Sequence, residues 1–371
     1  MIRVVNIITD SNIGGAGLVL INFMRNTDRA AFSHCVVLPE DSMLAPRLRE
    51  LGIELYEIAG IAERSFSPRA TGAFLRAFKE LRPDVVHTHA SLSARMAARL
   101  YGKCGTVHTR HCAFDVRRAL TAFPLRQILG FMNNSLSDVI VAVSPAARDN
   151  LTAIGTSPTK IVTMMNGVEP VRTLTDVEKA EVRQRYAVSG DGLCCAVVAR
   201  LEPYKGHEYV LEAAALLRDL PIWFVIAGTG SSADELKEKS RALGLKNCVF
   251  TGFVTEIWEI ENIMDIQINA SYGTEASSLS LLEGMSLGKP AVVSDFGGNP
   301  YVISHGENGL VVPGRNAGAL AGAIRELSLD PGKYAYMSRR AREIYDVEFT
   351  AEIPVRKVEQ IYRGLAGSTA R

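Results

Sequence analysis

The residues best suited to chemistry form a short cationic segment, V-A-R-L-E-P-Y-K-G-H, at positions 198–207. An apolar run ends at Ala199, so we expect Arg200 at the carboxyl end of a strand and Lys205 with Gly206 at the start of a helix. A guanidinium can grip two phosphate oxygens, while an ammonium acts as a point charge. The spacing predicts a clamp for an anion such as a diphosphate. Two solvated surface cations are the alternative.

Two glutamates, Glu275 and Glu283, lie eight positions apart in a segment rich in small residues. On one helix they would be about 12 Å apart, beyond the roughly 5–9.5 Å of glycosidase carboxylate pairs. A hydrolase with paired carboxylates is therefore disfavoured. We instead expect Glu275 in a loop and Glu283 inside the following helix, each accepting hydrogen bonds from different ligand hydroxyls. The residues that would present backbone N–H groups to a phosphate at the start of that helix are Ala276, Ser277, Ser278 and Leu279.

A glycine-rich turn, I-G-G-A-G, follows the first apolar run at 13–17. Gly14 and Gly15 would let a ligand approach the backbone, with the next helix pointing its N-terminus at a phosphate. The turn is not G-x-G-x-x-G, and no acidic residue ends the next strand to hold a ribose. It is either a ligand loop or a tight connection.

Four of the seven histidines fall within 25 positions of one another. His87 and His89 share one face of a predicted strand, and His108 and His111 stand near the end of another. Neither pair has a cysteine or carboxylate at metal-binding spacing, so a metal site is disfavoured. Packed or hydrogen-bonding histidines are the ordinary alternative.

These residues must be positioned by alternating strands and helices, which indicate parallel sheets built from β-α-β units. Ligands then bind at the carboxyl ends of the strands. A charged stretch at 170–191, helical at 177–186, is the candidate linker between two such series. The predicted strands are 3–8, 35–38, 85–89, 106–109, 139–143 and 161–164, then 193–199, 222–227, 248–251, 266–269, 291–294 and 309–312. The predicted helices are 69–81, 91–100, 207–218, 233–243, 280–287, 318–327 and 354–365.

Length and composition limit the possible classes of protein. A chain of 371 residues exceeds one ordinary core and favours two domains. A net charge of +1 argues against nucleic-acid binding. The six cysteines contain no C-x-x-C pair, which favours free thiols in a reducing compartment. With no signal peptide or membrane span in the sequence, we expect a cytoplasmic protein.

Basic residues concentrate in the first half of the chain. Residues 1–169 carry a net charge of +5, and 64–126 alone hold 12 basic and 3 acidic residues. Such a segment predicts peripheral contact through 64–132 with the anionic inner face of a membrane. Because Pro124 interrupts the helix, packing against the sheet is the alternative. The basic and bulky apolar residues that alternate in this segment are Arg117, Arg118, Leu120, Phe123, Leu125, Arg126, Leu129, Phe131 and Met132.

In this order along the chain, the motifs resemble glycosyltransferase family 4, retaining transferases of GT-B fold. The cationic segment and E-x(7)-E are specific together, because they stand at the family's separation. This sequence has Ala-Ser-Ser after Glu275, where the family commonly has G-F-P. The motifs that carry the resemblance are I-G-G-A-G (13–17), D-V-V-H-T-H-A (84–90), T-R-H (109–111), D-V-I-V-A-V-S (138–144), N-G-V (166–168), V-A-R-L-E-P-Y-K-G (198–206), A-G-T-G (227–230), T-G-F-V (251–254) and the two glutamates.

The resemblance implies an α/β fold of GT-B type, with two Rossmann-like doubly wound domains facing a central cleft. An acceptor-binding domain would span 1–169 and a nucleotide-sugar-binding domain 170–353. A helix at 354–371 would cross back onto the first domain.

The resemblance also implies roles for individual residues. Arg200 and Lys205 would neutralise the donor diphosphate and Glu283 would hold the ribose. Glu275 and residues 276–279 would contact sugar and phosphate, with Val254 beside the base. Gly14 and Gly15 would also face the donor, and His89, His108 and Arg110 would lie on the acceptor side. The catalytic histidine of the family's T-x-H fits His108 or His111; we prefer His111, because a strand beginning at Gly105 ends there.

The implied reaction is retaining transfer of a hexose-type sugar from a nucleotide-sugar, such as a UDP-sugar, to a glycan or lipid-linked acceptor hydroxyl. Such transfer belongs to cell-surface polysaccharide or glycolipid synthesis. Two fixed cations and the lack of a D-x-D motif favour catalysis without a metal cofactor. A nucleotide-sugar epimerase of similar fold, a transferase for a small soluble acceptor and a non-catalytic nucleotide-binding protein are the alternatives.

Overall fold

The computed structural model describes residues 1–62, 66–190 and 192–369. Contacts between Cα atoms divide the chain into two compact units. The first unit contains residues 1–167 and the described part of 351–371, and the second contains 168–350. The chain therefore passes between the units twice.

The first unit is built on a seven-stranded parallel sheet in the order β3-β2-β1-β4-β5-β6-β7. The order reverses between β1 and β4, the point where doubly wound sheets open a crevice for ligands. The strands are β1 Ile2–Ile8, β2 Phe32–Pro39, β3 Glu54–Ile58, β4 Val85–His89, β5 Gly105–Arg110, β6 Val139–Ala142 and β7 Ile161–Thr163. The helices are α1 Gly15–Asn26, α2 Ala45–Glu50, α3 Pro68–Leu81, α4 Leu92–Tyr101, α5 Arg118–Thr121, α6 Leu125–Leu136 and α7 Pro145–Ala153.

The second unit has a six-stranded parallel sheet in the order β10-β9-β8-β11-β12-β13. Its order reverses between β8 and β11. The strands are β8 Leu193–Val198, β9 Ile222–Ala227, β10 Cys248–Gly252, β11 Ile266–Asn269, β12 Ala291–Ser294 and β13 Gly309–Val312. The helices are α8 Asp176–Arg185, α9 His207–Leu216, α10 Ala233–Ala242, α11 Ile257–Ile263, α12 Leu279–Ser286, α13 Asn299–Val302, α14 Ala317–Leu329 and α15 Pro331–Ile344. The prediction of two doubly wound α/β domains is confirmed.

The last helix, α16 (Glu352–Thr369), packs within the first unit. Its Tyr362 is completely buried in a core with Phe32, and the Tyr362 hydroxyl lies 2.6 Å from His87 Nδ1. Glu359 accepts hydrogen bonds from the Thr27 hydroxyl at 3.0 Å and from the Asp28 N–H at 2.7 Å. The helix therefore supports the sheet beneath the histidine-bearing strands. Among the described residues, none of the helices combines the length and apolarity needed to cross a membrane.

The candidate linker at 170–191 is wrong for the described residues 170–190. Leu174 and Val182 are buried in the core of the second unit. The helix in this stretch, α8, begins with a capping box in which Thr175 and Glu178 bond reciprocally. Residue 191 lies outside the described residues.

Candidate functional site

The cationic segment of the second unit follows the buried strand β8. Arg200 lies two residues beyond the end of the strand, is exposed, and donates to the Tyr204 hydroxyl at 2.8 Å. Lys205 ends a short 3₁₀ turn, and Gly206 turns the chain into α9 with φ of +71°. A Cβ atom on Gly206 would lie 2.2 Å from the Ala270 carbonyl oxygen, so this close crossing requires glycine.

Lys205 and Glu275 form an ion pair between two neighbouring strand ends. Lys205 Nζ lies 2.8 Å from Glu275 Oε2, and the two side chains are 16% and 8% exposed. The same carboxylate oxygen accepts hydrogen bonds from Asn269 Nδ2 at 3.1 Å and Ser271 Oγ at 3.2 Å. These contacts fix Glu275 in a loop, as expected, and hold the ammonium group at the carboxyl edge of the sheet.

The loop after Glu275 leads directly into α12. Ala276 is buried, and the buried Ser277 hydroxyl has no hydrogen-bond partner among the described residues. Ser278 stands at the N-cap without a side-chain cap, and Leu279 is the first helical residue. Because the first-turn N–H groups of a helix have no intrahelical acceptor, this terminus can bind an anion.

Two contacts hold that loop in place. The Ser280 hydroxyl, in the first turn of α12, donates to the Val198 carbonyl at the end of β8 at 3.3 Å. The Gly298 N–H donates to the Glu275 carbonyl at 3.0 Å. The start of α12 therefore lies beside the strand end that precedes Arg200.

Glu283 lies on α12, one turn beyond its start, with its carboxyl group near Glu261 of α11. Burial raises the pKa of Glu283. Val254 follows β10 and is half-buried against a core that includes Ile260. Glu261 was not predicted, because a glutamate in a helix with flanking charges is typical of a solvated face.

The glycine turn of the first unit requires glycine at fewer positions than its sequence indicates. Gly14 is the N-cap of α1 with an ordinary φ of −100°. A Cβ atom on Gly15 would meet nothing within 4 Å, whereas one on Gly17 would press on Leu44. The space at Gly15 leaves room for a ligand, but the conformation of the turn does not require glycine at 14 or 15.

Three histidines gather on one face of the first sheet. His89 stacks on His87 at a ring distance of 4.5 Å and on His111 at 5.1 Å. His89 Nδ1 lies 2.8 Å from His111 Nε2, so one ring donates and the other accepts. His87 Nε2 lies 2.6 Å from the Thr109 hydroxyl. The three rings line a cavity of about 50 Å³, together with Asn6 and apolar side chains from α1 and α16.

Burial keeps these imidazoles neutral near pH 7. It lowers the pKa of His87 to about 3 and that of His111 to about 4, and it lowers the pKa of His89 well below its ordinary value. The cluster can therefore supply hydrogen bonds rather than positive charge. Among the described residues, no group of three or more His, Cys, Asp or Glu side chains is arranged to hold a metal ion.

His108 and Arg110 lie on the opposite face of β5 from this cluster, because side chains alternate along a strand. His108 is buried, with Nδ1 3.3 Å from the Thr88 hydroxyl. The Arg110 guanidinium lies 5.0 Å from the centre of the Phe114 ring. The structure therefore brings His89 together with His111 but not with His108 or Arg110.

Two family models match successive parts of the chain. The model described as Glycosyltransferase Family 4 matches residues 13–172. The model described as Glycosyl transferases group 1 matches residues 178–344. Between them they cover every strand of the two sheets except β1, together with the glycine turn, the histidine cluster, the cationic segment and the two glutamates.

Individual proteins show the same likeness. The putative glycosyltransferase EpsD of Bacillus subtilis is 25% identical over 75% of this chain and 76% of its own. A D-inositol 3-phosphate glycosyltransferase of Actinosynnema mirum is 26% identical over 80% of this chain and 77% of its own. The crystal structure of Anabaena HepE in complex with UDP superposes with a TM-score of 0.84 at 19% identity, covering 98% of this chain and 100% of that one. At that identity the structural likeness shows the fold, which is GT-B.

Proposed function

The chain belongs to the family 4 and group 1 glycosyltransferases of GT-B fold, and from this membership we propose that it moves a hexose-type sugar from a UDP-sugar to an acceptor hydroxyl with retention of anomeric configuration. The observation that carries the proposal is the largely buried Lys205–Glu275 pair beside Arg200 and the start of α12. Two cations and a helix N-terminus suit a diphosphate, and a fixed carboxylate suits sugar hydroxyls. The UDP bound to HepE supports the choice of nucleotide.

The catalytic step needs a stable leaving group. As the sugar–phosphate bond breaks, negative charge grows on the diphosphate oxygens, where Arg200, Lys205 and the α12 N-terminus can stabilise it. The departing phosphate then accepts the proton of the acceptor hydroxyl on the same face of the sugar, which preserves its configuration. Glu283 holds the ribose and Val254 lies beside the base. In the first unit, His111 is the proposed catalytic histidine, neutral and hydrogen-bonded to His89.

The first test is donor binding and turnover without metal. Because Arg200 and Lys205 supply the positive charge, we expect UDP-sugar turnover to persist in excess EDTA. Thermal shift with a panel of UDP- and GDP-sugars identifies the donor, and product analysis by NMR reports the anomeric configuration. Loss of turnover in EDTA with recovery in magnesium would contradict the metal-free proposal. Isomerised donor in the absence of acceptor would contradict transfer itself.

The acceptor, we propose, is a lipid-linked glycan reached at the surface of an anionic membrane. The membrane contact would be made by exposed basic and apolar side chains on and beside helices α5 and α6, here called the basic-apolar surface. The sequence has no acidic residue from 116 to 137. Phe123 is 82% exposed and Phe131 is 74% exposed, and Gly130 is the one buried residue of α6. The residues of the basic-apolar surface are Arg117, Arg118, Phe123, Arg126, Ile128 and Phe131.

Not every arginine of the basic segment 64–126 is available to a membrane surface. Arg95 is buried and donates to Ser137 Oγ at 3.2 Å and Asn133 Oδ1 at 3.1 Å, so it serves the core of the first unit. Arg110 is half-buried over an aromatic ring. Arg64 lies outside the described residues. The basic-apolar surface itself keeps its exposed phenylalanines beside exposed arginines, which is the pattern of a surface that binds at a membrane interface.

Replacing both Phe123 and Phe131 by serine is expected to reduce binding to vesicles of anionic lipid by at least about tenfold. Full burial of one such side chain contributes roughly 1.5–3 kcal/mol, and these two are the most exposed apolar side chains of the basic-apolar surface. Cosedimentation at low and high salt measures the effect, with the exposed Leu329→Ser on α14 as the matched control. Wild-type protein that stays in the supernatant at both salts would overturn membrane docking. Transfer to soluble D-inositol 3-phosphate would instead point to a small acceptor.

A further inference from the structure

Glu261 is a completely buried carboxyl group beside the proposed ribose ligand. It lies on α11 between Ile260 and Ile263, which are in the core of the second unit, and it is 0% exposed. Neither of its oxygens receives a hydrogen bond from a donor group in the described part of the chain. Its side chain lies within hydrogen-bonding range of Glu283 on α12. Two carboxyl groups in such contact are satisfied only when one of them carries a proton.

In the described part of the chain, no cation compensates the charge of this pair. Within the described residues, Glu283 is the one charged group that acts on Glu261. Charged and titratable side chains on neighbouring elements have other partners. Arg185 of α8 and the next residue, Tyr186, donate to Glu259, and Lys289 donates to the Asn262 carbonyl. Arg342 donates to Asp346 and to the Ser286 carbonyl, Tyr345 donates to the Val168 carbonyl, and Asp265 accepts from the Cys194 N–H.

We propose that Glu261 is a positioning residue that stays protonated in the folded protein and donates its O–H to Glu283. That bond holds one oxygen of the Glu283 carboxylate and leaves the other for the ribose hydroxyls of the donor. The ribose role rests on the proposed function, whereas the carboxyl–carboxylate bond rests on the burial and contact of the two side chains. Glu283 is only half-buried, so its carboxylate can reach a ligand as Glu261 cannot.

The direction of the pKa values agrees with this assignment. Burial first, and then the charge of Glu283, raises the pKa of Glu261 well above its ordinary value. Burial also raises the pKa of Glu283, and the hydrogen bond from Glu261 opposes that rise. Both directions agree with a proton on Glu261. When folding raises the pKa of a carboxyl group, the folded protein loses stability as the pH rises from the ordinary pKa of that group through its folded pKa.

Replacing Glu261 by glutamine tests whether Glu261 is protonated in the folded protein, and this test needs no ligand. The amide donates to Glu283 at every pH, so the variant is expected to gain thermal stability over the wild type as pH rises from about 5 to about 8.5. Thermal unfolding across that range measures the difference. The exposed Glu235→Gln on α10 is the matched control and should show no growing gap. A constant gap for Glu261→Gln would overturn the proposed protonation.

Nucleotide affinity tests the positioning role. Glu261→Gln is expected to bind UDP within about threefold of wild type, whereas Glu261→Leu, which lacks a donor, should lose about tenfold or more. The loss should be smaller for 2′-deoxy-UDP, because that ligand lacks one of the ribose hydroxyls. Calorimetric titration of both nucleotides decides the point.

The results of these binding experiments distinguish a failure of this inference from a failure of the proposed function. Failure of wild-type protein to bind any uridine nucleotide would remove the proposed donor. Normal UDP binding by Glu283→Gln would remove the ribose role of Glu283. If UDP binds and Glu283→Gln weakens it while Glu261→Leu matches wild type, the positioning role of Glu261 is wrong.

Discussion

Alanine at position 200 is expected to lower kcat by about 10²–10³-fold while leaving thermal stability unchanged. The lost group would stabilise charge on the departing diphosphate, and removal of one such donor typically has this effect. Arg200 is exposed and its side chain bonds only to the Tyr204 hydroxyl among the described residues. Its loss therefore leaves no buried charge behind. Steady-state kinetics with the donor identified by the screen, together with thermal unfolding, measure both parts.

Alanine at position 205 is expected to reduce kcat similarly but also to destabilise the protein. Removing Lys205 leaves the 8% exposed Glu275 carboxylate without its cation. The cost should fall below the roughly 3–5 kcal/mol of breaking a fully buried pair, because Asn269 and Ser271 still donate to it. The exposed Lys237→Ala on α10 is the control. Near-normal turnover in both Arg200→Ala and Lys205→Ala would remove the core of the proposed function.

The sheets were predictable from sequence because most of their strands are buried apolar runs. Four strands of the second sheet have the predicted bounds, namely β9, β11, β12 and β13, and most of their side chains are buried. The strand that the sequence failed to indicate is β3, Glu54–Ile58, at the edge of the first sheet. Its two glutamates are exposed, so it lacks the apolar pattern by which a strand is recognised. Pairing with β2 stabilises this strand, and such a long-range contact cannot be predicted from the local sequence pattern.

The site was partly predictable because parallel strands bring their carboxyl ends to one edge. That rule places Arg200 and Glu275 at neighbouring strand ends, although 75 positions separate them in sequence. It does not predict that Lys205 already binds Glu275, since the contact depends on the Gly206 crossing. Nor does it find Glu261, whose burial is set by the packing of α11 on the sheet.

The choice between the two T-x-H histidines depends on strand alternation. Thr109 bonds to His87, so residues 109 and 111 share the face that carries the histidine cluster. His108 faces the other way, and its ring is held by Thr88. The catalytic role of His111 remains a proposal, and the geometry gives it a hydrogen-bonded partner in His89.

Alanine at position 298 is expected to reduce kcat by about 10²-fold without abolishing folding. Gly298 has an ordinary φ of −83°, so the backbone tolerates alanine and the effect comes from the added methyl group. Its Cβ would lie 1.7 Å from the Ala276 carbonyl oxygen and 3.2 Å from the Ser277 nitrogen. The loop between Glu275 and α12 must therefore move by more than 1 Å. A displacement of that size in a group that positions a substrate can cost about 10²-fold in rate.

The measurement pairs kinetics with unfolding, since forcing a methyl group into a packed site also costs roughly 1–3 kcal/mol. Gly322→Ala is the matched control, because a Cβ there meets nothing within 4 Å on the exposed side of α14. Alanine in a helix interior should stabilise that variant by roughly 0.5–1 kcal/mol and leave turnover unchanged. UDP affinity should survive Gly298→Ala better than turnover does, since Arg200 and Glu283 lie outside the displaced loop. Wild-type turnover in Gly298→Ala would mean that the loop from Glu275 to Ser278 does not hold the reacting sugar.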